Sequence, residues 1–306
     1  MKRLRLGTRG SRLARWQAEW VQGRLAAQGA PSDIVIIETR GDAEVDRPLQ
    51  QLEGKGFFTK EIEEALLEDR IDVAVHSMKD LPTTLPDGLE LGPVPERADP
   101  VDVLVVRAAG VTSLAQLPAR ARLGTSSLRR LAQVAFLRPD LEIVPLRGNV
   151  PTRVERVKTG GALDAALLAS AGLSRLGLEQ AVASRLDPLE VMPAPGQGAL
   201  GLELRRGDRI VWKALRPLED APSAQAVAAE RAMLAALGGG CQAAVAAYTG
   251  NRETGNGRRL FGRVLAPDGA VQLTASVDVD PDRPAAAGEA LARLLEAHGA
   301  LELLAR

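Results

Sequence analysis

The stretch DVAVHSMKDLP, residues 72–82, predicts the fold of this chain more clearly than any other segment. Its apolar run at 73–75 is typical of a buried strand. A His, a Ser, a Lys and an Asp follow this run before Pro82. Ligands of open α/β sheets bind at the carboxyl ends of strands, so we expect these side chains to form part of a site. The alternative for this segment alone is a strand that leads into a solvated turn.

Strands and helices alternate on the N-terminal side of this stretch. The predicted elements are strands at 4–7 and 34–39 and helices at 11–28 and 59–69. Thr59 is predicted to cap the second helix, and the polar, glycine-containing residues 41–58 are predicted to form a loop. The resulting βαβαβ order predicts a parallel or mixed sheet.

Prolines divide the remainder of the chain. Two groups of them, near 93–100 and 188–195, predict crossovers at which the chain leaves a first lobe and later returns to it. The predicted elements between them are strands at 102–106, 121–124, 142–146 and 164–168 and helices at 127–137 and 151–159. A strand at 199–204 would return the chain to the first lobe. This pattern predicts two lobes with a cleft between them.

The composition changes after Pro217, where an alanine-rich segment begins. The predicted elements are a helix at 223–237, a strand at 243–249, a hairpin that turns at 267–269 and a last helix from 284. We therefore predict an α/β fold with two lobes and a small α+β C-terminal domain. The predicted boundaries are 1–96 with 197–216, 99–192, and 218–306.

Charge and composition exclude several classes of protein. The formal net charge is zero, which argues against a general nucleic-acid binder. No apolar run approaches the roughly 20 residues that span a bilayer, and the N-terminal sequence has no signal-peptide core. The single cysteine excludes an internal disulfide. We therefore expect a cytoplasmic protein that binds neither nucleic acid nor a membrane.

Arginines recur where predicted strands end and predicted helices begin. They are Arg9, Arg129, Arg130, Arg147, Arg153 and Arg175. The segment Gly-Thr-Ser-Ser at 124–127 opens a predicted helix, where backbone N–H groups and hydroxyls can bind an anion. Guanidinium groups bind carboxylates or phosphates through two parallel hydrogen bonds. A single arginine of this kind is more often a surface residue, but the set predicts a ligand with several anionic groups.

Common cofactor and metal motifs are missing. Residues 54–56, Gly-Lys-Gly, lack the spacing of a phosphate-binding loop, and no dinucleotide fingerprint follows the first strand. Two histidines and one cysteine cannot form a typical zinc site, so we expect no metal. Cys241 follows three glycines, and it could be a covalent attachment point, a nucleophile or a small buried side chain. His76 is the only plausible partner for a catalytic thiol.

Seven segments of the chain, taken together and in their order along it, resemble the porphobilinogen deaminase (hydroxymethylbilane synthase) family along essentially the whole chain. They are Thr8–Ser11 with Trp16–Ala18, Gly54–Glu61, His76–Pro82, Gly124–Arg130, Leu146–Val150, Pro195–Ala199 and Gly239–Gln242. The chain departs from the family at Ala243 and Ala244, where a proline-containing stretch is usual.

The resemblance implies two lobes like those of type II periplasmic binding proteins, and a third domain. It implies a dipyrromethane cofactor bound by a thioether to Cys241, one per chain. The implied reaction joins four porphobilinogen molecules head to tail with loss of ammonia, and water then releases hydroxymethylbilane. The implied enzyme is a transferase of tetrapyrrole (heme) biosynthesis, and we expect a monomer.

The resemblance also implies roles for individual residues. Asp80 would be catalytic, because its carboxylate can hold pyrrole N–H groups, stabilise the cationic azafulvene left by ammonia and relay protons. The cofactor-binding residues would be Cys241, Ser77, Lys79, Asp80, Thr125, Ser126, Ser127, Arg129, Arg130, Arg147, Gly148 and Ala169. The substrate-binding residues would be Arg9, Ser11, Gln17, Phe58, Arg147, Arg153, Arg175, Gln197 and Gly198. Lys55 and Phe58 would belong to a loop over the cleft.

Three other functions are compatible with parts of the sequence. A non-enzymatic two-lobe binding protein for a small polyanion would have the same lobes and arginines, but would leave Asp80 and Cys241 without a role. A transferase with Cys241 as nucleophile would need His76. A pyridoxal-type lysine at Lys79 is the third alternative, and it would give visible absorbance.

Overall fold

The computed structural model describes residues 3–39, 59–159, 161–238, 244–251 and 257–305. The predicted loop at 41–58 and the loop of Cys241 lie outside these residues. The chain divides into two compact units, one formed by 1–98 with 198–224 and the other by 99–197 with 225–306. The predicted division into three domains stays a prediction.

The described residues form thirteen strands and nine α-helices. The strands are β1 (Leu4–Thr8), β2 (Ser32–Ile36), β3 (Val73–Ser77), β4 (Leu89–Leu91), β5 (Asp102–Val106), β6 (Arg122–Gly124), β7 (Glu142–Val144), β8 (Ala165–Ala169), β9 (Val182–Arg185), β10 (Leu200–Arg205), β11 (Val245–Asn251), β12 (Arg258–Leu265) and β13 (Gln272–Val279). The helices are α1 (Arg12–Ala27), α2 (Lys60–Leu67), α3 (Leu128–Leu137), α4 (Val150–Lys158), α5 (Ser170–Arg175), α6 (Arg209–Leu215), α7 (Ala221–Ala236), α8 (Pro284–Glu296) and α9 (Ala300–Leu304).

A five-stranded mixed sheet, in the order β2-β1-β3-β10-β4, forms the centre of the first unit. Strand β1 runs parallel to β2 and β3, whereas β10 runs antiparallel to β3 and β4. Successive side chains of a strand point to opposite faces. Val73 and Val75 therefore pack in the core that includes residues of α1, and Ala74 packs in the core that includes residues of α2. The predicted α/β class with a mixed sheet is confirmed.

The second unit contains two sheets. The first has five strands in the order β7-β6-β8-β5-β9, with β5 antiparallel to β8 and β9. The other is an antiparallel sheet, β11-β12-β13, whose core includes residues of α7, α8 and α9. The hairpin predicted at 267–269 joins β12 to β13. Both lobes and the small α+β part are therefore present as predicted.

Several local predictions were wrong. Thr59 precedes α2 but makes no capping hydrogen bond through its side chain, because its backbone is not extended as a capping residue requires. Arg175 lies at the last residue of α5, not at a helix start, where its charge suits the helix dipole. The strand predicted at 142–146 ends at Val144 because Pro145 has no N–H for the sheet. Within the described residues, no helix is both long and apolar enough to cross a bilayer.

Candidate active site

Two backbone hydrogen bonds hold the turn that follows β3. Strand β3 stops at Ser77, and one turn of 3-10 helix follows over Met78–Asp80. The Met78 N–H donates to the Ala199 carbonyl oxygen at 3.0 Å, and the Leu81 N–H donates to the Met78 carbonyl oxygen at 3.2 Å. Met78 and Leu81 are buried. Ser77 and Asp80 therefore lie at a fixed strand end.

Close packing against Gly201 contributes to this geometry. Gly201 lies opposite His76 on the neighbouring strand β10. A Cβ atom at residue 201 would lie 2.4 Å from Leu81 Cδ1 and 3.6 Å from Met78 Cα. Because Leu81 is itself buried, it has little room to move. The turn that carries Asp80 thus requires glycine at this position.

Gly201→Ala should destabilise the first unit by about 1–3 kcal/mol, because the added methyl group overpacks a filled core. The measurement is the midpoint of urea unfolding. Gly23→Ala is the matched control, since a Cβ at residue 23 meets no atom within 4 Å and alanine is favoured in a helix by roughly 0.5–1 kcal/mol. Equal stability of the two variants would contradict the packing argument.

A pocket of the first unit brings together five of the residues predicted to form a site. Its lining includes Arg9, Ser11, Gln17, Ser77 and Asp80. The buried amide of Gln17 donates to Ser77 Oγ at 2.8 Å. The arrangement places a carboxylate near a guanidinium, an amide and hydroxyl groups. It can accept hydrogen bonds from N–H donors and can stabilise a developing positive charge.

Two further polar residues, His76 and Thr59, are among those that line the same pocket, and Ser11 has a second role. The Ser11 side chain accepts from the Ala14 N–H at 3.2 Å and so caps α1. His76, which the sequence placed with Ser77, Lys79 and Asp80 at a candidate site, contributes to the lining, and so does Thr59, which was predicted only as a helix cap. Lys79, which precedes Asp80 in the 3-10 turn, is half-buried but does not belong to that lining.

In the second unit, the three hydroxyl groups predicted to bind an anion form hydrogen bonds with backbone groups. Ser127 caps α3 by accepting from the Arg130 N–H at 3.5 Å. Ser126 Oγ donates to the Leu146 carbonyl oxygen and accepts from the Leu146 N–H, each at 3.0 Å. Thr125 Oγ1 accepts from the Ser127 N–H at 3.2 Å. A role for these three residues in cofactor binding stays a prediction.

Asp102 is the centre of a buried charge cluster that includes three predicted site residues. Its carboxylate accepts from Arg129 Nη2 at 2.8 Å, from Arg130 Nε and Nη2 at 3.1 and 2.8 Å, and from Gln197 Nε2 at 2.7 Å. Asp102 and Gln197 are fully buried. Burial alone would raise the pKa of Asp102, but the charges of Arg129 and Arg130 outweigh it and hold the pKa well below its ordinary value.

The Asp102 cluster continues to the third sheet through Gln133. Gln133 Oε1 accepts from the Met192 N–H and from Arg263 Nη1, each at 2.8 Å. Arg263 lies on β12, and its guanidinium also donates to the carbonyl oxygens of Glu190 and Leu189. This buried network ties the sheet β11-β12-β13 to the lobe that carries Arg129.

Sequence reasoning did not identify Asp102, Gln133 or Arg263. Gln133 and Arg263 stand among helix and strand residues that give no sign of burial. Asp102 could have been identified from its position before an apolar run, because an acidic residue at the start of a buried strand needs a cationic partner.

Glu230 of α7 holds the Pro195–Gly198 motif in place. Its carboxylate accepts from the Gly196 N–H at 2.8 Å and from the Thr249 N–H at 3.0 Å. The Ala247 N–H also donates to the Pro193 carbonyl oxygen at 3.0 Å. Because Glu230 is fully buried, these bonds fix the turn next to Gln197. The alanine-rich context of Glu230 gave no sign of this role.

The remaining predicted residues of the second unit lie at or near the ends of strands and helices. Gly148 has φ of 103° and accepts from Arg153 Nε at 2.7 Å through its carbonyl oxygen. Arg147 precedes it and is half-buried, and Ala169 ends β8. Burial lowers the pKa of Arg175 to about 10. A nearby ligand carboxylate would favour the charged form of such a guanidinium.

Some predictions cannot be placed on the structure. Cys241, Lys55 and Phe58 lie outside the described residues.

Gly198 belongs to the first unit, where its carbonyl oxygen accepts from the Ala98 N–H at 3.2 Å. Within the described part of the chain, no group of three or more His, Cys, Asp or Glu side chains could hold a metal ion.

Two family models match almost all of the chain. Residues 4–213 match the model described as "Porphobilinogen deaminase, dipyromethane cofactor binding domain". Residues 224–297 match "Porphobilinogen deaminase, C-terminal domain". The chain belongs to the porphobilinogen deaminase family.

Curated members of the family align with this chain from end to end. The porphobilinogen deaminase of Moorella thermoacetica is 48% identical over 306 residues, which is 99% of this chain and 96% of that protein. The porphobilinogen deaminase of Pelobacter propionicus is 46% identical, over 99% of this chain and 96% of that protein. The predicted family is therefore confirmed.

A solved structure of a binding protein is also similar in part. An ancestral arginine-binding protein bound to arginine is 14% identical, with a TM-score of 0.40, over 74% of this chain and 96% of that protein. This likeness is too low to support an argument about function.

The residues of both units suit the dipyrromethane cofactor of the family, whose two pyrroles carry acetate and propionate groups. Arg129 and Arg130 together carry two positive charges against the single carboxylate of Asp102, so this cluster keeps one excess positive charge. A buried excess charge favours binding of an anion. In the first unit, the Asp80 carboxylate can accept hydrogen bonds from pyrrole N–H groups.

Proposed function

We propose that this chain joins porphobilinogen molecules head to tail on a dipyrromethane primer attached to Cys241, and then releases hydroxymethylbilane. It is a transferase of tetrapyrrole biosynthesis, as its family membership indicates. The observation that supports the proposed chemistry best is the pocket in which Asp80 lies with Arg9, Ser11, Gln17 and Ser77. We further propose that the protein acts in the cytoplasm as a monomer.

Asp80 is the proposed catalytic residue. When bound, the dipyrromethane would supply the pyrrole carbon to which the first substrate pyrrole becomes attached. The Asp80 carboxylate would hold the N–H group of the substrate pyrrole and stabilise the positive charge that develops as the C–N bond breaks and ammonia leaves. The same carboxylate would take up the proton that is lost when the new C–C bond has formed.

Cationic and polar residues of each unit are proposed to bind the carboxylates of substrate and cofactor. Arg9 and Ser11 would bind substrate at the pocket, while Gln17 orients the Ser77 hydroxyl through its 2.8 Å hydrogen bond. Guanidinium groups suit this task because they bind carboxylates through two hydrogen bonds in a fixed plane. In the second unit the residues proposed to bind cofactor or substrate are Thr125, Ser126, Ser127, Arg129, Arg130, Arg147, Gly148, Arg153, Ala169 and Arg175.

The test is the intact mass of the denatured protein, measured beside the Cys241→Ser variant. The wild-type protein should carry an excess mass equal to two linked pyrrole units, and the variant should have the mass of its bare sequence. The comparison identifies the residue as well as the adduct, because serine differs only in the atom that would form the thioether.

A bare wild-type mass is resolved by incubation with porphobilinogen. Uptake of pyrrole units that depends on Cys241 would support the proposal. A mass that stays unchanged, with no release of ammonia, would contradict it and would favour the non-enzymatic binding protein.

A further inference from the structure

Three ionisable side chains interact in the interior of the first unit, and one of them, His76, also lines the pocket that contains Asp80. They are Glu63 of α2, His76 of β3 and Glu203 of β10, and they are 7%, 5% and 0% exposed. His76 Nε2 lies 3.3 Å from Glu203 Oε2. None of the reaction steps proposed above uses this cluster.

The cluster is only partly satisfied by hydrogen bonds. Both carboxylate oxygens of Glu203, His76 Nε2 and Glu63 Oε1 are buried without a hydrogen-bond partner in the described structure. The 3.3 Å approach of His76 to Glu203 is therefore an ion-pair distance without good hydrogen-bond alignment. The cluster contains two carboxyl groups and one imidazole, and a protonated imidazole can neutralise only one carboxylate.

Burial decides how the protons must be shared. A buried charge is stable only when an opposite charge lies beside it, so the two carboxylates cannot both be ionised. Glu203 is the closer partner of His76 and is the more deeply buried. Glu63 is the remaining acid, and burial raises its pKa, with smaller effects from Thr59, Glu203, His76 and Glu64.

We propose that Glu203 is a positioning residue that pairs as a carboxylate with the His76 imidazolium, beside a protonated Glu63, and thereby fixes the end of β3. This proposal rests on the function proposed above. The ion pair bridges β3 and β10 one residue before Ser77 and four residues before Asp80. Loss of the pair would remove this link between the two strands, because the buried His76 would then lose its proton, and it would displace the strand end that carries both site residues.

The kinetic test compares the same substitution, glutamate to glutamine, at two positions of the cluster. Glu203→Gln should lower kcat for porphobilinogen by about ten- to a hundredfold, as small displacements of a catalytic group do, with KM changed less than kcat. Glu63→Gln mimics a protonated acid in size and should keep kcat within about threefold. Glu64→Gln is the matched control on the same helix, because Glu64 is exposed.

The spectroscopic test needs no substrate. The chain has two histidines, so the imidazole nitrogens of ¹⁵N-histidine-labelled protein give two sets of signals, which His298→Asn assigns. His298 is exposed and serves as the internal reference. At pH 7 the His76 signals should be those of an imidazolium in the wild-type and Glu63→Gln proteins, and those of a neutral imidazole in Glu203→Gln.

The outcomes separate this proposal from the proposed function. A neutral His76 in the wild-type protein would overturn the ion pair, and so would a Glu203→Gln variant with wild-type kcat. If Glu203→Gln does not fold, the wild-type spectrum and the Glu63→Gln kinetics still decide. An inactive wild-type protein with the predicted imidazolium would instead contradict the proposed function alone.

Discussion

Asp80→Asn is expected to lower kcat for porphobilinogen by about 10²- to 10³-fold, equivalent to about 2.7–4 kcal/mol of transition-state stabilisation. Asparagine keeps the size of the side chain but removes the charge and the site for a proton. Since Asp80 stabilises charge that develops only as ammonia leaves, KM should change far less than kcat. The measurement is steady-state release of ammonia by protein whose intact mass shows the attached primer.

The control for Asp80 is Asp87→Asn. Asp87 lies in the same unit but is exposed, so the substitution should leave kcat within about twofold. If primed Asp80→Asn protein retained more than a tenth of the wild-type kcat, Asp80 would not be the group that stabilises the transition state.

Asp102→Asn is expected to destabilise the second unit by about 3–5 kcal/mol, because it leaves two buried guanidinium groups without an opposite charge. The carboxylate also accepts from Gln197, so the turn that follows Pro195 should loosen as well. The measurement is the midpoint of urea unfolding at pH 7. This cost exceeds that of any exposed ion pair in the same unit.

The matched control for Asp102 is Asp140→Asn. Asp140 also accepts two hydrogen bonds from one arginine, Arg138, at 2.7 Å each, but its side chain is 41% exposed. An exposed pair contributes about 1 kcal/mol or less. Similar losses in the two variants would show that burial adds nothing to the Asp102 cluster.

The same cluster determines part of the pH dependence of stability. Because the pKa of Asp102 in the folded protein lies below the ordinary value of 3.8, its contribution is fully present well above pH 3.8 and is lost as the pH falls below it. Wild-type protein should therefore lose stability faster than Asp102→Asn below about pH 4. A constant difference between the two proteins down to pH 2 would contradict this assignment.

Local sequence patterns predicted the elements that carry the site. The apolar run 73–75 predicted the buried strand β3, and the polar residues after it predicted where that strand ends. The helix that begins near residue 127 and the turn at 267–269 were also predicted from local chemistry, because each depends on residues within a few positions.

Long-range pairing could not be predicted in the same way. Asp102 meets Arg129 and Arg130 across 27 and 28 residues, and Glu203 meets His76 across more than a hundred. No local period records which strand lies beside which. The antiparallel insertion of β10 between β3 and β4 brings Glu203 to His76, and that order depends on the whole sheet.

The position of β10 has a consequence for synthesis on the ribosome. This strand separates β3 from β4 in the first sheet, yet it belongs to the segment 198–224, which is made after the whole of 99–197. At about 5–20 residues per second, the nascent chain would hold β3 and β4 with unpaired edges for roughly 5–20 s. The lobe that carries Asp80 therefore cannot complete its sheet until that later segment has emerged, and a product truncated within 99–197 would expose those edges permanently.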